Sequence, residues 1–178
     1  MGKRMESLNY LENNARDVTI LYVDDEYELL EETRQLLKKL FDVVDIAHNG
    51  QEGLELYQSK QHDLVITDIK MPVMDGVDMI RGIQKIKSDQ LIIVTSAYDF
   101  SDNLHPFLEH DVTVFLPKPL VLKDLLDTLA SLARKIKKEY RLSTDESLHE
   151  EVRHLKEEVA ALKQEVKNLK ELMNLPPL

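Results

Sequence analysis

Five apolar runs, each followed by a stretch with helical spacing, decide what this chain can fold into. The runs are residues 18–23, 43–47, 63–68, 91–95 and 112–116, and the first, third and fourth are Val, Ile and Leu with almost no polar alternation. Such runs are strands covered on both faces. Between them, helical intervals place Leu29, Leu30, Thr33, Leu36, Leu37 and Leu40 on one face of a helix. Leu54, Leu56 and Tyr57 mark a second helix opening near Asn49-Gly50, and Met79, Ile80 and Ile83 a third over residues 77–87. Residues 99–110 carry a poorer helical pattern, because Pro106 lies inside it and lacks a backbone donor. Leu122, Leu125, Leu126, Leu129, Leu132, Ala133 and Ile136 give a long last helix with basic residues toward its end, as the helix dipole prefers. Alternating strand and helix implies parallel strands joined by right-handed crossovers, hence helices on both faces. The expected class is α/β, a doubly wound five-stranded parallel sheet.

Open sheets of this kind bind ligands at the C-terminal edge of their strands. Here Asp24 and Asp25 close the first run, Asp68 the third and Ser96 the fourth, and Lys118 follows the fifth. Beside Asp68, Pro72 fixes one φ angle and Gly76 permits a positive one, which gives the following loop a defined path. Three carboxylates brought together repel, and the usual relief is a hard divalent cation. Mg²⁺ needs only one or two carboxylates plus a phosphate, and Mn²⁺ would serve in the same place. The lysine and the hydroxyl then suit the oxygens of a phosphoryl group carried on one carboxylate. The sequence has no glycine-rich phosphate loop and no His/Cys cluster, which disfavours nucleotide binding.

Composition narrows the partners. A formal charge of −10 argues against direct nucleic-acid or anionic-membrane binding, and the absence of cysteine excludes disulfides and thiol chemistry. No apolar stretch is long enough for a membrane span and no leader pattern is evident, so a cytoplasmic location is expected. Residues 1–17 are polar, with Met5, Leu8 and Leu11 at helix-like intervals, and read as an N-terminal arm or short helix.

After Tyr140 the pattern changes. Ser143-Thr144-Asp145-Glu146 has capping-box spacing and is either a new helix start or a polar turn of one continuous helix. Leu148, Val152, Leu155, Val159, Leu162, Val166, Leu169 and Met173 then recur at alternating intervals of four and three, a coiled-coil seam. Val152, Val159, Val166 and Met173 occupy a and the leucines d, a choice that favours a parallel two-stranded coil. Glu151, Glu158 and Glu165 fall at g, and Lys156, Lys163 and Lys170 at e, so each acid faces the partner's lysine five residues on in a parallel homodimer. The competing reading is one amphipathic helix packed on its own domain.

Val23-Asp24-Asp25-Glu26, Asp68-x-x-Met71-Pro72-x-Met74-Asp75-Gly76, Thr95-Ser96-Ala97 and Phe115-Leu116-Pro117-Lys118-Pro119 stand in an order and at spacings that resemble the receiver domain of two-component response regulators, from about Val18 to Tyr140. The resemblance implies a flavodoxin-like (βα)5 receiver. It implies that Asp68 accepts a phosphoryl group from a histidine kinase or phosphotransfer protein. It also implies that Asp25 and Asp68 ligate Mg²⁺ with the Lys70 backbone carbonyl, and that Asp24 holds the ion through water. Ser96 and Lys118 would contact the phosphoryl oxygens, Phe115 would turn inward as Ser96 moves, and the bond before Pro119 would be cis. Such a chain is not an enzyme in the ordinary sense: it takes phosphoryl from small donors and loses it by its own hydrolysis. Lys70 and Tyr98, two residues past Asp68 and Ser96, are placed to shield the phosphoryl group from water and slow that loss. Asp111 stands where the family usually has Gly, and with Pro106 this puts the family's usual dimer face in doubt. The sequence thus divides into an arm at 1–17, a receiver at 18–142, a coil at 143–175 and a tail at 176–178. Two other readings compete: a receiver and stalk of a longer regulator, for example one with a diguanylate cyclase output, and a phosphatase with an aspartate nucleophile, where Asp24 would react and Glu26 would be the second acid.

Overall fold

The computed structural model describes the backbone of residues 2–97 and 112–173. Within it, β1 (Ile20–Val23), β2 (Val44–Ala47), β3 (Leu64–Asp68), β4 (Leu91–Ser96) and β5 (Val114–Pro117) form one parallel sheet in the order β2-β1-β3-β4-β5. The helices are α1 (Gly2–Asn14), α2 (Tyr27–Leu37), α3 (Gly50–Lys60), α4 (Gly76–Gln84) and α5 (Leu122–Met173). This is the doubly wound α/β class read from the sequence. The helix expected over 99–110, with Pro106, Asp111 and Tyr98, lies outside the described residues.

Successive residues of a strand face opposite sides, so a run with no polar alternation must be buried twice. Ile20 and Tyr22 of β1, Leu64 and Ile66 of β3, and Leu91 and Ile93 of β4 join one core with Leu30, Leu37, Leu129 and Ala133. Their neighbours Leu21, Val23, Val65, Ile92 and Val94 join a second core with Tyr57, Met79, Ile80 and Ile83. The strand order reverses direction at β1, which makes the gap between the C-terminal ends of β1 and β3 the topological switch point.

Toward the opposite end of the strands, charge is balanced. Asp45 accepts hydrogen bonds from Lys60 at 2.8 Å and from His62 at 2.8 Å. Burial works to raise its carboxyl, but the contacts with Lys60 and His62 outweigh that and hold it below the usual carboxylate range.

The N-terminal segment forms α1 and belongs to the compact unit Met1–Ile136. Leu11 and Ala15 are fully buried in the first core, alongside Leu37, Phe41 and Leu129. Polar contacts add to the packing: the Ser7 hydroxyl donates to Asp127 Oδ1 at 2.7 Å, and the Arg134 guanidinium lies 4.2 Å over the Tyr10 ring. The second unit, Lys137–Leu178, is taken by itself. The helix passes through Ser143–Glu146 without a new start, and the Ser143 and Thr144 hydroxyls both donate back to the Tyr140 carbonyl, as mid-helix hydroxyls do. Leu148, Val152, Leu155, Val159 and Leu162 are all exposed. No helix among the described residues is long and apolar enough to cross a membrane.

If α1 is part of the cooperative core, Leu11→Ala will destabilise the protein by about 2–4 kcal/mol, the usual cost of emptying a fully buried leucine site. Urea denaturation checks this, and an unshifted midpoint would mean that α1 frays without opening the core.

Candidate functional site: an acidic pocket around Lys118

The strand register brings the site together. Val23 pairs with Thr67, so Asp24 and Asp68 leave their strands at the same level. Asp68 pairs with Thr95 and Ser96 with Pro117, so Ser96 borders Asp68 and Lys118 follows directly. Asp24 is fully buried, Asp68 and Ser96 are nearly so, and Asp25 is exposed. Carboxylate oxygens of Asp24, Asp25 and Asp68 all lie within 4.8 Å of one another. That is a set of hard oxygen donors, suited to a hard divalent cation.

Lys118 reaches into this set. Its Nζ lies 2.8 Å from Asp68 Oδ2, 3.0 Å from Asp24 Oδ2 and 3.0 Å from Glu26 Oε1. Burial by itself would lower the lysine, but its contacts with the accepting carboxylates of Asp68, Asp24 and Glu26 raise it well above its ordinary range, so it is a permanent cation. Asp24 is raised: its desolvation outweighs the pull of Lys118 and of the Glu26 N–H. The Asp24 carboxylate is further fixed by the Tyr22 hydroxyl at 3.1 Å and the Glu26 N–H at 3.1 Å. Burial, then the Asp24 charge, pushes the Tyr22 phenol far above its usual range, so it stays a donor. Asp68 Oδ1 accepts the Ile69 N–H, while its Oδ2 faces the lysine.

The loop after Asp68 is tight in a way the sequence does not display. Gly76 does not take a positive φ, contrary to expectation; the positive φ, 69°, falls on Val73, inside a three-residue turn closed by Met74 N–H to the Pro72 carbonyl at 2.8 Å. Gly76 answers a steric need instead, because a Cβ there would collide with the Asp68 carbonyl oxygen. Asp75 then caps α4 by accepting the Asp78 N–H at 2.8 Å. Lys70 is exposed beside this loop, Phe115 is half-buried against the second core, and the Lys118–Pro119 peptide is cis.

Two contributors escaped the sequence reading. Tyr22 sits inside an apolar strand, and the only signal was its i, i+2 parity with Asp24, which puts both side chains on one face. Glu26 figured as the last residue of the Val23-Asp24-Asp25-Glu26 motif and as the second acid of a phosphatase, whereas its side chain contacts Lys118.

The model of the response regulator receiver domain matches residues 20–130. This chain belongs to the response regulator receiver family. The response regulator MprA of Mycobacterium ulcerans is 34% identical over 122 residues, 68% of this chain and 53% of that protein, so this chain spans about half the length of the curated relatives it matches. Among solved structures, the N-terminal domain of an uncharacterized protein from Wolinella succinogenes superposes with a TM-score of 0.65 at 31% identity, covering 70% of this chain and 99% of that one. The CheX-CheY-BeF3-Mg+2 complex from Borrelia burgdorferi matches with a TM-score of 0.59 at 26% identity, over 64% of this chain and 87% of that one. The receiver assignment makes this a phosphorylation-controlled signalling domain.

In the receiver pocket Lys118 already contacts Asp24 and Asp68, two of the acids that a cation would use. Lys118→Met should therefore bind Mg²⁺ roughly ten-fold more tightly, since a like charge is removed from beside the ligands. Isothermal titration checks this, and unchanged or weaker binding would mean that the lysine does not oppose the ion.

Proposed function

We propose that this chain takes a phosphoryl group on Asp68 from a histidine kinase or phosphotransfer protein, with Mg²⁺ bound at Asp24, Asp25, Asp68 and the Lys70 carbonyl. The observation that carries this is the convergence on Asp68 of a permanent cation, a neighbouring hydroxyl and two further acids at one strand edge. An Asp68 oxygen attacks phosphorus, the bond to the donor's imidazole breaks, and the imidazole leaves with the electron pair. The divalent cation supplies charge neutralisation for the phosphoryl oxygens. Ser96 and Lys118 donate to those oxygens, and Phe115 follows Ser96 as the switch. The same chemistry lets the domain charge itself from small phosphodonors and lose the group to water, with Lys70 and Tyr98 shielding it.

Asp68→Asn should abolish base-labile labelling from acetyl phosphate. Asp25→Asn should mainly weaken its Mg²⁺ dependence. Full labelling of the Asp68→Asn protein would overturn the assignment.

The output is proposed to run through a parallel coiled-coil homodimer. Its support is the exposed stripe from Leu148 to Leu162 and the groove lined by Val152, Leu155, Lys156, Val159, Ala160 and Lys163, with lysines on its rim. In a parallel pair those lysines meet Glu151 and Glu158 of the second copy. An antiparallel pair would set glutamate against glutamate and lysine against lysine. A stalk role toward a further output segment is a second reading, favoured by curated relatives about twice the length of the match. Light scattering should show a dimer whether or not the protein is phosphorylated, and removal of residues 143–178 should leave a monomer or weak dimer. A full-length monomer at micromolar concentration would remove the coil reading.

A further inference from the structure

The helices that open on the acidic edge start in two different ways. Asn49 and Asp75, at the starts of α3 and α4, turn their side chains back to accept the N–H groups of Glu52 and Asp78. Glu26 holds the same position before α2 in an extended conformation, and its side chain makes no capping hydrogen bond. Its carboxylate reaches across to Lys118 Nζ at 3.0 Å instead. A longer side chain is a poor cap, and here it serves a different partner.

The donor count at Lys118 gives that contact a consequence. An ammonium has three N–H groups and no acceptor. Three carboxylates surround it at 2.8–3.0 Å: Asp68, Asp24 and Glu26. The hydrogen bond to Glu26 holds an N–H that a phosphoryl oxygen could otherwise take. When a bond forms between an Asp68 oxygen and phosphorus, and the donor's leaving group departs with its electron pair, the Asp68 carboxylate gives up its charge and several anionic phosphoryl oxygens appear beside the lysine, where the contacts to Asp24 and Glu26 compete with them. Asp24 cannot easily yield, since it is fully buried and pinned by the Tyr22 hydroxyl and the Glu26 N–H. The Glu26 side chain is 63% exposed and is free to swing into water.

Resting on Asp68 as the phosphoacceptor, we propose that Glu26 is a positioning residue that holds an N–H of Lys118 in the unphosphorylated domain and surrenders it to the phosphoryl group. Glu26 thereby sets how readily the domain accepts a phosphoryl group, acting through the lysine rather than on phosphorus. Because its side chain caps nothing, replacing it removes no capping hydrogen bond from α2.

The probe is beryllofluoride, a phosphoryl mimic for carboxylates, titrated in saturating Mg²⁺ and read by ¹⁹F NMR on the full chain. Glu26→Ala should bind roughly two- to five-fold more tightly than the unaltered protein, the range that an exposed ion pair supports. Glu28→Ala removes the same charge two residues on, from an exposed position, and should leave the affinity unchanged. Acetyl phosphate labelling should accelerate in Glu26→Ala by a similar factor. Unchanged or weaker beryllofluoride binding in Glu26→Ala overturns the proposal, and so does an equal gain in Glu28→Ala, which would make the effect one of net charge. If the unaltered protein itself takes up no beryllofluoride, the Asp68 reading fails, a result distinct from any difference between variants.

Discussion

Among the described residues, Asp24, Asp25, Glu26 and Asp68 gather at one end of the sheet around the ammonium of Lys118, and that imbalance governs the rest of the architecture. Without a cation, Asp24, Asp25, Glu26 and Asp68 would push β1 and β3 apart at the point where their hydrogen-bonded ladder ends. Lys118 counters this by crossing from the end of β5 to the ends of β1 and β3. One lysine is too little to neutralise four acids, and the residual negative charge is what makes the pocket receptive to a small hard cation. The balanced cluster of Asp45, Lys60 and His62 shows the alternative arrangement, in which neighbouring residues neutralise a carboxylate fully and leave nothing for a ligand.

Burial is what makes the arrangement selective. Asp24 has lost its water, so its remaining hydrogen bonds to Tyr22, Glu26 and Lys118 are the ones that keep it in place. Asp25, one residue further along, is exposed and less constrained. Adjacent residues in one acidic pair therefore have different freedom, a direct result of strand alternation at the point where the sheet gives way to loop.

Most of the fold was legible, because double burial leaves an unmistakable signature: residues 64–66 and 91–94 carry no polar side chain. The site was legible for a related reason, since Asp24, Asp68 and Lys118 each interrupt or follow such a run at its C-terminal end. Less visible were contacts that depend on side-chain reach rather than on pattern. Nothing in the spacing of Glu26 showed that it would pass over its own helix start to find a lysine 92 residues away. The loop after Asp68 misled for a different reason. Glycine there signalled backbone freedom, whereas the chain needed empty space beside a carbonyl and placed its left-handed residue at Val73. Ser143 to Glu146 left a new start and a continuous helix both open, and the helix continues because hydroxyls that cap a helix also bond back inside one.

The family match begins at residue 20, yet the hydrophobic core begins at Leu11. An added helix that contributes to a core changes what its neighbours can be. Once Leu11 and Ala15 cover part of the surface shared with Leu37, Phe41 and Leu129, those residues no longer have to tolerate water, and mutations that make the region more apolar cease to be harmful. Loss of α1 would then uncover apolar residues of the first core around Leu37, Phe41 and Leu129. Such an accretion works as an evolutionary ratchet: it is easy to gain while the covered face is still polar, and hard to discard after that face has adapted to being covered.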